Sequence, residues 1–425
     1  MNGLNTGHTP RIRRVTVRNF KRFGQETIFE LPGHVVLVGP NNSGKTTFLQ
    51  AVATWAFVYD FWQKRVPDKN PRAAFQKVPI ARQAFASVPL KGFDALWSER
   101  QLASVIEIDV DLDGGQTLGV EISPDTTEQA MVRPKWVPTR KQLPAVPDVV
   151  YVPPMTGLSI EEPVFQAPKI AQLLALGRPG EVIRNLLLEA SREELTWRPL
   201  TDAIRRMFGY ELVAPDASGP DIVADYKRSA DGPRFDIASA GSGFQQVLML
   251  MTFLTTRQGS VLLVDEPDAH LHVILQNSIY QELKRFAAQR ESQLVLATHS
   301  EVIVNSVDPT EITMLMADKP RPLIDKAQRQ QLANALRVAA QLRHHAGAPG
   351  ARRVVRRRPH RSGDPQGMGA HPRPPGAQAV RLAQLSVAAD RVGSGRWRGG
   401  HQVAAALRGL AVGRTDAEGA GIAGR

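Results

Sequence analysis

The 425-residue chain contains no cysteine, which excludes a disulfide framework and any metal site built on thiolates. It also lacks a long hydrophobic run. The longest apolar stretch, Val247 to Leu254, falls far short of the roughly 20 residues needed to span a bilayer. The opening, Met1 to Arg14, is polar and basic with no apolar segment behind it, so no secretory leader is expected. Together these absences predict a cytoplasmic protein with no membrane partner. The length allows a sizeable core and two or three domains.

Lysine is missing from the C-terminal region, where arginine is plentiful. Residues 341–425 carry 15 Arg, no Lys and 4 acidic residues, whereas the rest of the chain holds 38 basic against 37 acidic residues. The formal net charge of +12 is therefore a property of the tail, and the body is close to neutral.

Within the body, hydrophobic periodicity alternates between strand and helix. A strand over Ile12–Val17 leads through Asn19-Phe20-Lys21-Arg22-Phe23, and a second, Val35–Val38, runs into a glycine-rich loop. A helix should start at Lys45 and turn Phe48, Leu49, Val52 and Trp55 inward. Val105–Leu112 alternates apolar with acidic residues and should pair with Thr117–Ile122 across Asp113-Gly114-Gly115. A short buried strand is expected at Val149–Val152, helices between Pro163 and Tyr210, and short strands at Asp221–Tyr226 and Phe235–Ile237. Ser191 with Glu194 three residues on predicts a capping box opening one of those helices. The pattern then reads helix 244–257, strand 261–264, helix 270–287, strand 293–297, helix 300–306 and strand 311–316. The expected fold is α/β, with a mainly parallel sheet, antiparallel N-terminal strands and a helical insertion.

Gly39-Pro40-Asn41-Asn42-Ser43-Gly44-Lys45-Thr46 lies between a predicted strand and a predicted helix, the setting a phosphate-binding loop requires. Its glycines let the backbone wrap a phosphate without Cβ clashes, and amides from Asn42 through Thr47 can point inward. Lys45 supplies a charge for the β- and γ-phosphates, the Thr46 hydroxyl suits Mg²⁺, and the helix N-terminus adds partial positive charge. The implied ligands are ATP and Mg²⁺.

Val261–Val264 ends in Asp265-Glu266, and ligands in open α/β sheets sit at the carboxyl ends of strands. Asp265 is expected in the Mg²⁺ shell, and Glu266 is placed to orient or deprotonate an attacking water. His299, 34 residues past Asp265 in Thr298-His299-Ser300, again ends an apolar strand and can sense a γ-phosphate. His270 and His272 share an alternate spacing but have no third ligand nearby in sequence, so they are not read as a metal site. Ala240-Gly241-Ser242-Gly243-Phe244-Gln245-Gln246 opens a helix with small residues, a second anion site. Either Ser239 or Ser242 can be the contacting serine, with Ser242-Gly243 favoured.

The set resembles an ABC-class ATPase head of the SMC/RecF/OLD group, over residues 10–320. Asn19 to Phe23 resembles that group's segment before the Walker A loop, Asp265 to His272 its Walker B and D-loop with Val273 where proline is usual, and Ala297 to Ser300 its switch histidine. The loop at 239–246 departs from the group's Leu-Ser-Gly-Gly-Gln signature, and the group's Q-loop glutamine has no evident counterpart. The resemblance implies a homodimer of heads with ATP sandwiched between the phosphate loop of one copy and the signature loop of the other, catalysis by Lys45, Glu266 and His299, and DNA as a possible partner. It divides the chain into an N-terminal lobe (1–60), inserted strands and helices (61–235), a C-terminal lobe (236–325) and an Arg/Gly/Pro-rich tail (326–425).

Two readings of that tail stand side by side. One is a basic, disordered arm that grips nucleic-acid phosphate. The other is a segment translated out of frame. With permissible codons, reading each codon of Arg356–Pro365 from its second base can spell VEGHTDLEIL, and the run continues as KAWARILGHP through Pro374. A strand followed by VEGxTD resembles the start of a TOPRIM nuclease domain, the usual C-terminal partner in OLD-type proteins.

Overall fold

The computed structural model describes residues 10–336 apart from 66–75, 86, 89, 136–145, 155–156, 176, 257–258, 260, 270, 317–318, 324 and 335. The tail readings and His270 lie outside the described residues. The chain divides into two units, Met1–Ala333 and Asn334–Arg425, and the strands of the described residues all belong to the first.

The early elements of this first unit, in chain order, are β1 (Ile12–Arg18), β2 (Thr27–Glu30), β3 (Val35–Val38), α1 (Lys45–Arg65), β4 (Val78–Ala81), β5 (Ile106–Leu112), β6 (Thr117–Pro124), β7 (Gln129–Pro134) and β8 (Val149–Val152). Helices α2 (Ala167–Ala175), α3 (Ile183–Ser191) and α4 (Glu194–Phe208) follow. Next come β9 (Glu211–Leu212), β10 (Asp225–Lys227), β11 (Arg234–Asp236) and α5 (Ser242–Thr256). The chain then runs through β12 (Val261–Asp265), α6 (Val273–Gln289), β13 (Gln293–Thr298), α7 (Glu301–Ser306), β14 (Ile312–Met316) and β15 (Lys319–Pro322).

Two six-stranded sheets carry the unit. One is antiparallel, in the order β2-β1-β5-β6-β7-β4; the other, β15-β14-β3-β13-β12-β8, is parallel except for β15 at its edge. A third, small sheet, β11-β10-β9, is antiparallel. The fold is thus α/β, with a mainly parallel sheet and antiparallel N-terminal strands. The parallel strands read as unbroken apolar runs because both faces are covered: every residue of β3, β12 and β13 is buried.

Helix α1 lies between the two large sheets, packing on β5–β7 and on β8, β12 and β13. Its expected inward residues Phe48, Leu49, Val52 and Trp55 are all fully buried, and so are Val58 and Trp62. A helix covered on so many sides needs no narrow apolar stripe. Trp55 Nε1 donates to the Leu118 carbonyl at 2.7 Å and Trp62 Nε1 to that of Gln76 at 3.0 Å, so both indoles keep a polar partner in the core. Buried Gln293 joins the sheets: its amide donates to the carbonyls of Ile12 (2.8 Å) and Gly33 (2.9 Å) and accepts from Ile12 N–H (2.8 Å).

Two sequence expectations are corrected. Ser191 caps no helix; it is the last residue of α3 and donates to the Leu188 carbonyl at 2.9 Å, while α4 begins at Glu194 without a side-chain cap. The strand expected over Asp221–Tyr226 shrinks to Asp225–Lys227 with isolated bridges at Asp221 and Val223. Among the described residues no helix is long and apolar enough to cross a membrane.

Candidate functional site

The phosphate loop connects β3 to α1, and its glycines are dictated by their neighbours. A Cβ on Gly39 would lie 2.4 Å from the Leu315 carbonyl oxygen of β14 and 2.8 Å from Ser43 Oγ. Gly44 adopts φ +104° with the Phe23 ring 3.0 Å from where a Cβ would stand. Asn42 also has a left-handed backbone, at φ +62°. The loop therefore follows a tight backbone path that leaves no room for a side chain at Gly39 or Gly44.

Lys45 is buried, and its ammonium donates to the carbonyls of Gly39 (2.9 Å) and Pro40 (3.1 Å) across the loop. Ser43 is also buried, and its hydroxyl makes no hydrogen bond. Thr46 and Thr47 are half-buried, and Asn42 is exposed at the rim.

The carboxyl end of β12 meets this loop. Asp265 is buried, and its Oδ1 accepts from Thr46 Oγ1 at 3.1 Å while Oδ2 faces the Tyr151 hydroxyl at 3.4 Å. Burial pushes its carboxyl up to about 6; the Thr46 hydrogen bond works against that rise, and the charge of Glu266 adds to it. Burial, with the charge of Asp265, likewise raises the Tyr151 phenol, which stays a donor.

Glu266 turns out of the strand at φ +47°, with its N–H on the Ala297 carbonyl at 2.9 Å. Its Oε1 lies 3.4 Å from His299 Nδ1. That nitrogen is shielded from solvent yet makes no well-formed hydrogen bond. The structure thus gathers Lys45, Thr46, Asp265, Glu266 and His299 at adjoining strand ends.

The serine loop opens helix α5, and a separate short turn leads into it. A 3-10 turn, Ile237–Ser239, precedes α5 and is capped by Asp236, which accepts from Ala238 N–H at 2.7 Å. Ser239 spends its hydroxyl on the Asp236 carbonyl at 2.6 Å, whereas Ser242 is exposed at the first position of α5 with Gly243 behind it. The loop is tied to the turn after Glu266 by buried Gln246, whose amide donates to the Pro267 carbonyl at 3.1 Å.

Several of these positioning groups escape sequence reasoning. Tyr151 is visible only as a residue of a short apolar strand, and nothing in the sequence aims it at Asp265. Gln50, one helical turn after Thr46, accepts from Lys21 Nζ at 2.6 Å, a contact between residues with no motif in common.

A glycine-rich loop between a buried parallel strand and a helix, facing an acidic strand end, defines a P-loop nucleotide-binding protein. The chain belongs to the family described as "AAA domain, putative AbiEii toxin, Type IV TA system", whose model matches residues 35–305. Among solved structures it is similar to the SMC head domain from Thermotoga maritima (11% identity, 74% of this chain and 100% of that chain, TM-score 0.41). It is similar also to an Smc head bound to the C-winged helix domain of ScpA (14% identity, 76% and 100% covered, TM-score 0.44). A third is the Smc head domain with a coiled coil and joint from Pyrococcus yayanosii (11% identity, 78% and 100% covered, TM-score 0.44). No curated protein matches the chain.

Proposed function

We propose that the chain is an ATPase head that binds ATP with Mg²⁺ and hydrolyses it at a site completed by a second copy. The observation that carries this reading is the 3.1 Å contact of Thr46 Oγ1 with Asp265 Oδ1 beside the buried Lys45 ammonium. A hydroxyl and a carboxylate of two separate motifs converge there on one point. The loop fits a polyphosphate: Ser43 Oγ is a buried hydroxyl without a partner, and Lys45 rests on two carbonyls of its own loop. Phosphate oxygens would serve both groups better.

In this reading Gly39, Asn42, Ser43, Gly44, Lys45, Thr46 and Thr47 cradle the phosphates. Thr46 and Asp265 would hold Mg²⁺, which supplies charge neutralisation on the phosphate oxygens. Glu266 orients the attacking water and takes its proton. His299, 3.4 Å from that carboxylate, donates toward the γ-phosphate. Ser242, exposed at the start of α5, and half-buried Gly243 beside it face the nucleotide of the partner copy. We retain the four segments 1–60, 61–235, 236–325 and 326–425 as the working domain division.

The test compares wild type with Glu266→Gln and Lys45→Ala. Lys45→Ala is expected to lose ATP binding, and Glu266→Gln to bind ATP, stall hydrolysis and accumulate as a dimer on gel filtration. Equal turnover in Glu266→Gln and wild type sinks the assigned base.

We place the head with the OLD-like branch and assign it DNA-related work in the cytoplasm. Support comes from the arginine-rich composition of residues 341–425 and the VEGxTD string its alternative frame can spell. Resequencing codons 330–425 separates the two sources of that composition. A restored VEGxTD frame makes the natural protein an ATPase–nuclease, and an intact frame makes the basic tail a DNA-binding arm.

A further inference from the structure

Arg184 of α3 is 1% exposed, an unusual place for a guanidinium. Its NH1 donates to Asp236 Oδ2 at 2.8 Å and its NH2 to Asp236 Oδ1 at 2.9 Å, a two-pronged grip on one carboxylate. Asp236 is the residue that caps the Ile237–Ser239 turn through Ala238 N–H. From the other side Gln245 donates to the carbonyls of Ala238 (2.9 Å) and Ala240 (3.0 Å). The turn that delivers Ser242 is therefore clamped between an arginine and a glutamine.

The arginine is itself anchored. Buried Glu162 accepts from the N–H groups of Arg184 (3.0 Å) and Asn185 (2.7 Å) at the start of α3, and from the Asn185 side-chain amide at 2.7 Å. Helix α3 also packs directly on α5. Burying an ion pair is an inefficient route to stability, since apolar residues of like volume do as well or better. What a bidentate guanidinium adds is a fixed orientation of the carboxylate it holds.

We infer that Arg184, through Asp236, is a positioning residue that sets the serine loop at 239–243 for the nucleotide bound by a second copy. The inference rests on the head-dimer reading proposed for this chain. Arg184 then acts on assembly and turnover and leaves alone the binding of ATP to the phosphate loop of its own chain.

The test uses the full chain carrying Asp236→Asn, Arg184→Lys and Arg184→Met, each alone and with Glu266→Gln. Asp236→Asn keeps an acceptor for Ala238 N–H but turns an amide against the guanidinium, and at a half-exposed position it preserves the fold even where Arg184→Met does not. Binding of a fluorescent ATP analogue to the monomer should stay within about twofold of the parent. ATP-driven dimerisation in the Glu266→Gln background and kcat should fall at least about tenfold, with Arg184→Lys in between. Unchanged dimerisation and kcat, or losses that merely follow nucleotide affinity or the folded fraction, overturn the role of Arg184. If Glu266→Gln with native Arg184 and Asp236 fails to dimerise on ATP, the head-dimer reading falls, and the inference with it.

Discussion

Thr298 donates its hydroxyl to Asp268 across 2.6 Å, and both side chains are buried. The same hydroxyl accepts Ser300 N–H at 2.9 Å, and Ser300 in turn caps α7 through the N–H groups of Val302 and Ile303. One threonine thus links the turn after Glu266 to the loop that carries His299. Thr298→Val keeps the shape and deletes both bonds, leaving a buried carboxylate without its donor. The expected loss is about 2–3 kcal/mol of stability, read as a lower urea midpoint with an unchanged m-value.

Gly39 has no room for a methyl group, because a Cβ there would collide with the Leu315 backbone of β14 at 2.4 Å. A backbone atom in a sheet cannot swing aside as a side-chain tip can. Gly39→Ala should cost about 2–3 kcal/mol and, by moving the loop from β14, abolish nucleotide binding in a calorimetric titration. Gly33, whose Cβ would meet nothing within 4 Å, is the control: Gly33→Ala should leave both properties unchanged.

Lys21 gives the apo protein an alkaline signature. Burial pulls its ammonium down to about 8, so the unfolded chain, with an ordinary lysine, holds the proton more tightly. Stability must then rise as pH climbs from about 8 to about 10.5, by at most about 3 kcal/mol. Lys21→Met is expected to flatten that slope and to raise Tm at pH 7, both measurable by calorimetry across the range.

Gln293 makes three hydrogen bonds to backbone groups of the antiparallel-sheet strand β1 and the Gly33 turn. Gln293→Leu fills the same volume and leaves those groups unmet. Hydrogen exchange should speed selectively at Ile12 and its β1 neighbours, with a loss of about 2–4 kcal/mol overall. Uniform exchange across both sheets would deny Gln293 its joining role.

The parallel sheet was legible because burial on both faces forces apolar runs, as in Val35–Val38 and Val261–Val264. The phosphate loop and the acidic strand end were legible because their chemistry is local. Strands β4 and β15 were missed, and both contain proline and sit at sheet edges, where a lost N–H costs no ladder bond. Strand β7 hides its buried face behind Ala130 and Pro134, residues with little β preference. For Tyr151, Asp268, Gln246 and Arg184 the pairing stayed invisible for a different reason. Their partners lie 21 to 114 positions away, or on a neighbour fixed only once the chain has folded, and no spacing encodes such pairings.

Helix α1 begins at the phosphate loop and is gripped between two sheets as far as Trp62, about 25 Å away. A rod held in this way acts as a keel. A rotation of the helix at its first turn would be taken up along the seam between the sheets. Lys45 and Trp62 are thereby joined by a single piece of backbone.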